Sequence, residues 1–360
     1  MLDRWLPLAL TAAWALCLTL VTLGLLEDRS AIGLLHATER WDVGWYQHIV
    51  AHWYAPLDRP DGQQPAVFFP LLPLLARLVH VGTGASPLVS LNVVQKLSLV
   101  PLAYLSWRWV AELCPESGLQ GRVAGLLSLL LHPTFVFLLV PYTESLYLCL
   151  LFAALLAWAP RRPGLLFAAA FLLGVTRPTG LFLGPTALLW LAVESARHRS
   201  WRFWRSVETR DRACVVALVL APVAAFATVA FIDQLALGDA LAFLHYRGKW
   251  MPRPALTNLL AMFRPDPQFG PAWVALGGSV LLFRRGLRFE ALLCVVSLLL
   301  PLYQGNFGDM VRYTFGAAPA WMLVWIALGR WRWALVAIAI GSTALGLQLL
   351  TFWLAGRWVG

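Results

Sequence analysis

Long apolar runs dominate the chain, and short polar joins separate them. Runs near 6–26, 88–110, 122–140, 142–159, 164–176, 179–195, 213–237, 271–283, 289–304, 313–329 and 333–355 predict an all-α polytopic membrane fold of about 11 spans. Several runs fall short of a full span and are expected to be tilted or broken. The stretch Phe68–Val81 is different. It carries Pro70, Pro73, Arg77 and His80 and is about half a span long, so it is expected to be interfacial or re-entrant. No internal repeat and no low-complexity tract interrupts the pattern.

The longest polar interruption near the front runs from Glu39 to Pro73. Within it Trp45, Ile49 and Trp53 recur every four residues, Tyr46 and Val50 widen the stripe, and Gln47 and His48 lie off it. That spacing predicts a short amphipathic helix over 42–54, rich in the Trp and Tyr that favour a headgroup zone. Asp42 stands at its start. It is either a helix cap or a functional carboxylate.

Composition supports the membrane reading. Of 360 residues, 60% are hydrophobic and 13% are charged, about half the charge of an ordinary soluble chain. The apolar run at the front has no small-residue cleavage site after it and reads as a first span. Four of the five cysteines lie in apolar runs, with no CxxC pair, and read as small core residues. The net charge of +10 sits in residues that flank spans, so topology explains it better than nucleic acid does. Arginine outnumbers lysine 26 to 2, the bias of a GC-rich bacterial coding sequence.

Loops holding Arg161–Arg162, Arg197 through Arg212, Arg284–Arg288 and Arg330–Arg332 are expected on the cytoplasmic side. Alternation then puts a first loop (27–87) and a second loop (238–270) outside, within one transmembrane domain over 1–360. The same face receives Pro141-Tyr142-Thr143-Glu144, Thr176-Arg177-Pro178-Thr179-Gly180 and Asn306-Phe307-Gly308-Asp309-Met310-Val311-Arg312-Tyr313. Asn92 and Lys96 lie one turn apart within their span, and the second loop adds His245, Arg247, Lys249, Arg253 and Arg264. Ionisable groups at such depths are costly and usually functional. One or two carboxylates with several cations suit transfer from a lipid phosphate: arginines hold the phosphate and a carboxylate takes a proton from the attacking hydroxyl. Each piece also has a plainer reading. Glu144 can cap its helix, Arg177 can snorkel, Arg312 can pair with Asp309, and Lys96 can find a buried partner. The seven histidines show no metal-ligand clustering, since His48 and His52 lack a surrounding HExxH.

These pieces, in this order, resemble the PIG-V type mannosyltransferases, the family of GPI mannosyltransferase II and its bacterial relatives. The resemblance is carried by Arg40-Trp41-Asp42, Tyr46, Ile49, Ala51-His52, Tyr54, Ala66, Phe68-Phe69-Pro70, Pro73, Tyr142-Thr143-Glu144, Arg177, Gly180 and Arg312-Tyr313, and covers roughly 1–330. It implies a GT-C fold glycosyltransferase that moves a hexose, mannose in the family, from a polyprenyl phosphate with inversion. Asp42 would be the catalytic base. Arg40, Trp41, Tyr46, His52, Phe69, Lys96, Tyr142, Glu144, Arg177, Arg247, Lys249, Asp309, Arg312 and Tyr313 would contact substrate. The expected partners are the polyprenyl-phosphate sugar, a lipid-linked or glycan acceptor and membrane lipids, with no obligatory metal. The expected location is a bacterial plasma membrane with the site facing out. Pro178-Thr179 stands where eukaryotic members tend to have Ser-Asn, and no glycosylation sequon occurs, so the acceptor stays open. Two rivals from other classes are a transporter or flippase, and a non-catalytic subunit that binds lipid-linked glycans.

Overall fold

In a computed structural model, residues 2–198, 209–249, 254–264, 266–305 and 307–359 are described. Arg253 and Asn306, and most of the loop between Arg197 and Arg212, lie outside them. Among the described residues the fold is entirely helical, and six helices are long and apolar enough to cross a membrane. The protein is membrane-embedded and helical. Each of the eleven apolar runs corresponds to a helix or, at 122–140, to a broken pair.

The chain gathers into two compact units. The first comprises Met1–Cys149 and Trp325–Gly360. Its centre is the helix Pro87–Leu113. For clarity the helices of this unit are α1 (Leu2–Leu25), α2 (Ala31–Ala37), α3 (Asp42–His52), α4 (Leu71–Thr83), α5 (Pro87–Leu113), α6 (Gly118–Leu130) and α7 (Val136–Leu139). Pro87 begins α5, where its missing N–H costs nothing, and Ser86 caps it by accepting from the Val89 amide at 3.3 Å. The serines Ser90, Ser98 and Ser106 lie on its buried side, and small residues there let neighbouring helices approach. Helices α1, α3, α4 and α6 all pack on it.

The run 122–140 is not one continuous helix: it breaks between Leu130 and Val136. Pro133 has no N–H to continue the ladder, and the His132 ring takes over the turn, accepting from the Thr134 amide at 3.2 Å and pairing with its hydroxyl at 2.9 Å. A second break follows at Pro141. There the side chain of Gln95 donates to the Leu138 carbonyl at 2.5 Å and to the Ser145 hydroxyl at 2.9 Å. Lys96 donates to the Leu139 carbonyl. Two polar side chains of α5 thus satisfy carbonyls freed by the proline, as a lipid environment demands.

The second unit, Leu150–Val324, starts within α8 (Glu144–Trp158) and continues through α9 (Pro163–Gly174), α10 (Leu183–Arg197), α11 (Thr209–Leu237), α12 (Ala242–Arg247), α13 (Gly270–Arg284), α14 (Arg288–Tyr303) and α15 (Met310–Tyr313). Helix α9 packs along α11, α10 lies against α11 and α14, and α13 against α14. Ion pairs join helix ends here. Arg161 pairs with Asp211, and Glu194, almost fully buried, accepts from Arg288 at 2.9 Å and Arg197 at 3.3 Å. Gly278 of α13 packs on the backbone of Ala320, in α16 (Ala318–Leu328), so closely that a Cβ would lie 2.6 Å from the Ala320 carbonyl carbon. The last helix, α17 (Arg332–Leu354), returns to the first unit and packs on α7. All five cysteines are free thiols.

Candidate active site

Helix α3 forms where the sequence places it, but its buried face differs from the expected stripe. Val43, Tyr46, Ile49 and Val50 are buried, while Trp45 and Trp53 are only partly covered. Helix α3 packs on α4 and α5, Tyr46 lies edge-on to Phe68 at 5.3 Å and to Tyr142 at 6.4 Å, and Trp45 stacks on Phe68, ring centroids 5.7 Å apart. Arg59 lies over the outer face of Trp45 at 5.0 Å. Arg77, read from sequence as an obstacle to spanning, has a definite task. From α4 it donates to the carbonyls of Val50 at 2.6 Å and Ala51 at 3.1 Å, near the C-terminal end of α3, where a cation also suits the helix dipole.

Asp42 is the first helical residue, and Trp41, not Asp42, holds the capping position. The carboxylate is half-buried at the positive end of the helix dipole. Trp41 has φ 53° and ψ −115°, and Trp53 at the other end has φ 58° and ψ −144°. A non-glycine residue in such a conformation costs about 1–3 kcal/mol and persists only where its surroundings enforce it. At Trp41 the surroundings are visible. The backbone N–H of Asp42 donates to the Tyr142 hydroxyl at 3.1 Å, and that hydroxyl donates to the Arg40 carbonyl at 3.5 Å. Tyr142 is fully buried among Tyr46, Phe137 and Trp353, at centroid distances of 6.4, 5.1 and 5.7 Å. Trp353 donates from its indole to the Ala37 carbonyl at 2.9 Å. The following segment carries Trp358, edge-on to Trp41 at 5.5 Å.

The other sequence candidates of this unit divide by exposure. Arg40, Trp41 and His52 are exposed, and Phe69 and Glu144 are buried, Glu144 as the first residue of α8. The His48 ring meets the Ala55 carbonyl at 2.9 Å. Thr38 and the Leu88 carbonyl take the amide of Asn92 at 3.1 and 3.0 Å. Glu39 accepts from Gln47 at 2.8 Å. That hydrogen bond, with the His36 ring behind it, holds the Glu39 carboxyl below its ordinary range, against the effect of burial.

The second unit brings two cations to one tyrosine. The Arg177 guanidinium lies 5.9 Å from the Tyr313 ring. Burial lowers the Arg247 pKa from its ordinary value, with Tyr313 the opposing neighbour. Arg312 is buried beside it on α15, whose capping position is Asp309. Gly180 is required behind Arg177, because a Cβ there would run into the Leu173 backbone. Helix α12 presents Arg247 and is fixed by two carboxylates. Asp233 accepts from the Phe243 amide at 3.0 Å, and Asp239 from the Leu241 amide at 2.9 Å and the His245 ring at 2.6 Å. Lys249 follows, exposed. Arg264 stands over Phe307 at 5.8 Å.

Sequence reasoning missed Trp353 and Trp358, because nothing local ties a tryptophan at 353 or 358 to residues 37–42. Among the described residues, no three His, Cys, Asp or Glu side chains come together as a metal site. No protein-family model matches the chain, and no curated protein matches it.

Proposed function

We propose that this protein is a GT-C type membrane glycosyltransferase that moves a hexose, mannose on the sequence resemblance, from a polyprenyl phosphate to a lipid-linked or glycan acceptor. The supporting observation is Asp42 itself: a half-buried carboxylate at a helix start, beside a strained and heavily braced turn. Strain of that kind gathers where a protein has work to do. In the proposed reaction the acceptor oxygen attacks the anomeric carbon and passes its proton to Asp42. The carbon–oxygen bond to the phosphate breaks, the anomeric centre inverts, and polyprenyl phosphate leaves. On the sequence resemblance, arginines supply the charge that a phosphate needs. The full reading has 11 spans, the loops 27–87 and 238–270 on the outer face, and a bacterial plasma membrane as the site.

The test is transfer by purified protein given polyprenyl-phosphate-mannose and a membrane lipid extract, beside Asp42→Asn. Glycosylated product from wild type only, with the variant folded, is the expected result. Product at a near-normal rate from Asp42→Asn removes Asp42 from the role. Donor that binds without transfer under any acceptor points to the non-catalytic subunit, and donor that fails to bind points to a transporter or to another donor.

A further inference from the structure

We propose that Tyr142 and Trp358 are positioning residues that clamp the turn at Trp41 and so set the place of the Asp42 carboxylate. The catalytic consequence rests on the glycosyltransferase reading, but the clamp does not.

The turn needs a clamp because Trp41 sits at φ 53°, where an L side chain crowds its own backbone. One hydroxyl grips both sides of that residue, since Tyr142 accepts from the Asp42 amide and donates to the Arg40 carbonyl. The Trp41 side chain is met by Trp358, 5.5 Å away and at 75°. An edge-to-face pair of this kind fixes orientation as well as distance. Trp353 fastens the start of the turn through the Ala37 carbonyl. The ring of Tyr142 is fully buried and its hydroxyl meets the backbone of Arg40 and Asp42, which fits a part that acts through Asp42. Trp358 comes from a segment more than 300 residues further along. A net hydrogen bond amounts to a factor of roughly 2 to 12 in an equilibrium. Loss of the hydroxyl should therefore release the turn by about that factor.

The experiment compares full-length wild type, Tyr142→Phe and Trp358→Ala in lipid nanodiscs by amide hydrogen exchange. Expected is faster exchange over 38–43, by roughly 2- to 12-fold, with α4 and α5 unchanged. Tyr142→Phe keeps the buried ring, and Trp358→Phe serves if the alanine variant does not fold. In the transfer assay kcat should fall by a similar factor while the donor KM holds. Unchanged exchange over 38–43 overturns the clamp. So does exchange that rises throughout the unit, which marks a merely structural role. A raised KM at constant kcat overturns it too, because the residues then touch substrate. Exchange needs no turnover, so a wild type that transfers to no acceptor offered ends the glycosyltransferase reading and leaves the clamp to be decided by exchange.

Discussion

Two adjacent glycines of α13 should respond to alanine with opposite signs. At Gly278 a Cβ would lie 2.6 Å from the Ala320 carbonyl carbon and 3.0 Å from its Cα. Carbon atoms sit comfortably at about 3.5–4.0 Å. The neighbour is helix backbone, which cannot rotate away, so α13 and α16 must separate by about 1 Å along the contact. Overpacking of that size costs about 1–3 kcal/mol, and the separation also forfeits dispersion along both helices. Gly277 is exposed on the same helix, and a Cβ there meets nothing within 4 Å. Alanine should help at both positions through helix propensity, by about 0.8–1 kcal/mol. At Gly277 that gain stands alone. At Gly278 the clash exceeds it at most points of its range, so the two variants should differ by about 1–3 kcal/mol. Thermal unfolding in detergent, followed by tryptophan fluorescence, orders them: Gly277→Ala above wild type, Gly278→Ala below. If Gly278→Ala unfolds at or above the Gly277→Ala temperature, the close approach of the two helices is refuted.

Two further outcomes follow from the polar contacts. Glu39 is more acidic in the folded protein than in the unfolded chain, so it contributes stability at neutral pH that is lost as pH falls through the ordinary glutamate value of 4.5 toward the lowered one. Gln47→Leu removes the largest cause of that lowering, and its unfolding temperature should fall less steeply than that of wild type below about pH 5. Lys96→Met should lower stability by about 1 kcal/mol, because the Leu139 carbonyl loses its donor, while donor affinity in a binding assay stays the same. A weakened donor with unchanged stability would return Lys96 to the substrate site.

Much of the fold was legible in the sequence, since prolines and apolar runs mark helix limits without help from distant residues. Pro87, Pro163 and the Pro178 turn each begin a helical element, as their fixed φ favours. The helix at 42–52 could be read from its period. Which of its faces is buried could not, because Tyr46 and Trp45 are both large aromatics and only tertiary neighbours such as Tyr142 choose between them. Pro133 was visible as a letter inside the run 122–140. Its effect depends on the His132 ring, which makes a broken ladder tolerable there. The candidate site was legible as a set of residue types and not as a set of roles. Tyr142 reads from sequence as a substrate contact, and the meeting of its hydroxyl with the backbone of Arg40 and Asp42, some 100 residues earlier in the chain, is a product of folding that no local pattern announces. Arg177, Arg247 and Tyr313 lie on three separate elements, and their proximity is a product of tertiary packing alone.

The contacts of Gln95 and Lys96 carry a consequence for biogenesis. Their carbonyl partners lie 43 residues downstream. At a synthesis rate of about 5–20 residues per second, α5 leaves the ribosome roughly 2–9 s before the segment that satisfies it. During that interval a helix with an amide and an ammonium group must wait beside lipid without its partners. The expected course is that the nascent chain stays in the insertion machinery until α7 arrives, so that α5 and α7 commit to the bilayer together. Chains halted before Leu138 should be extracted from membranes more readily than chains halted after Ser145.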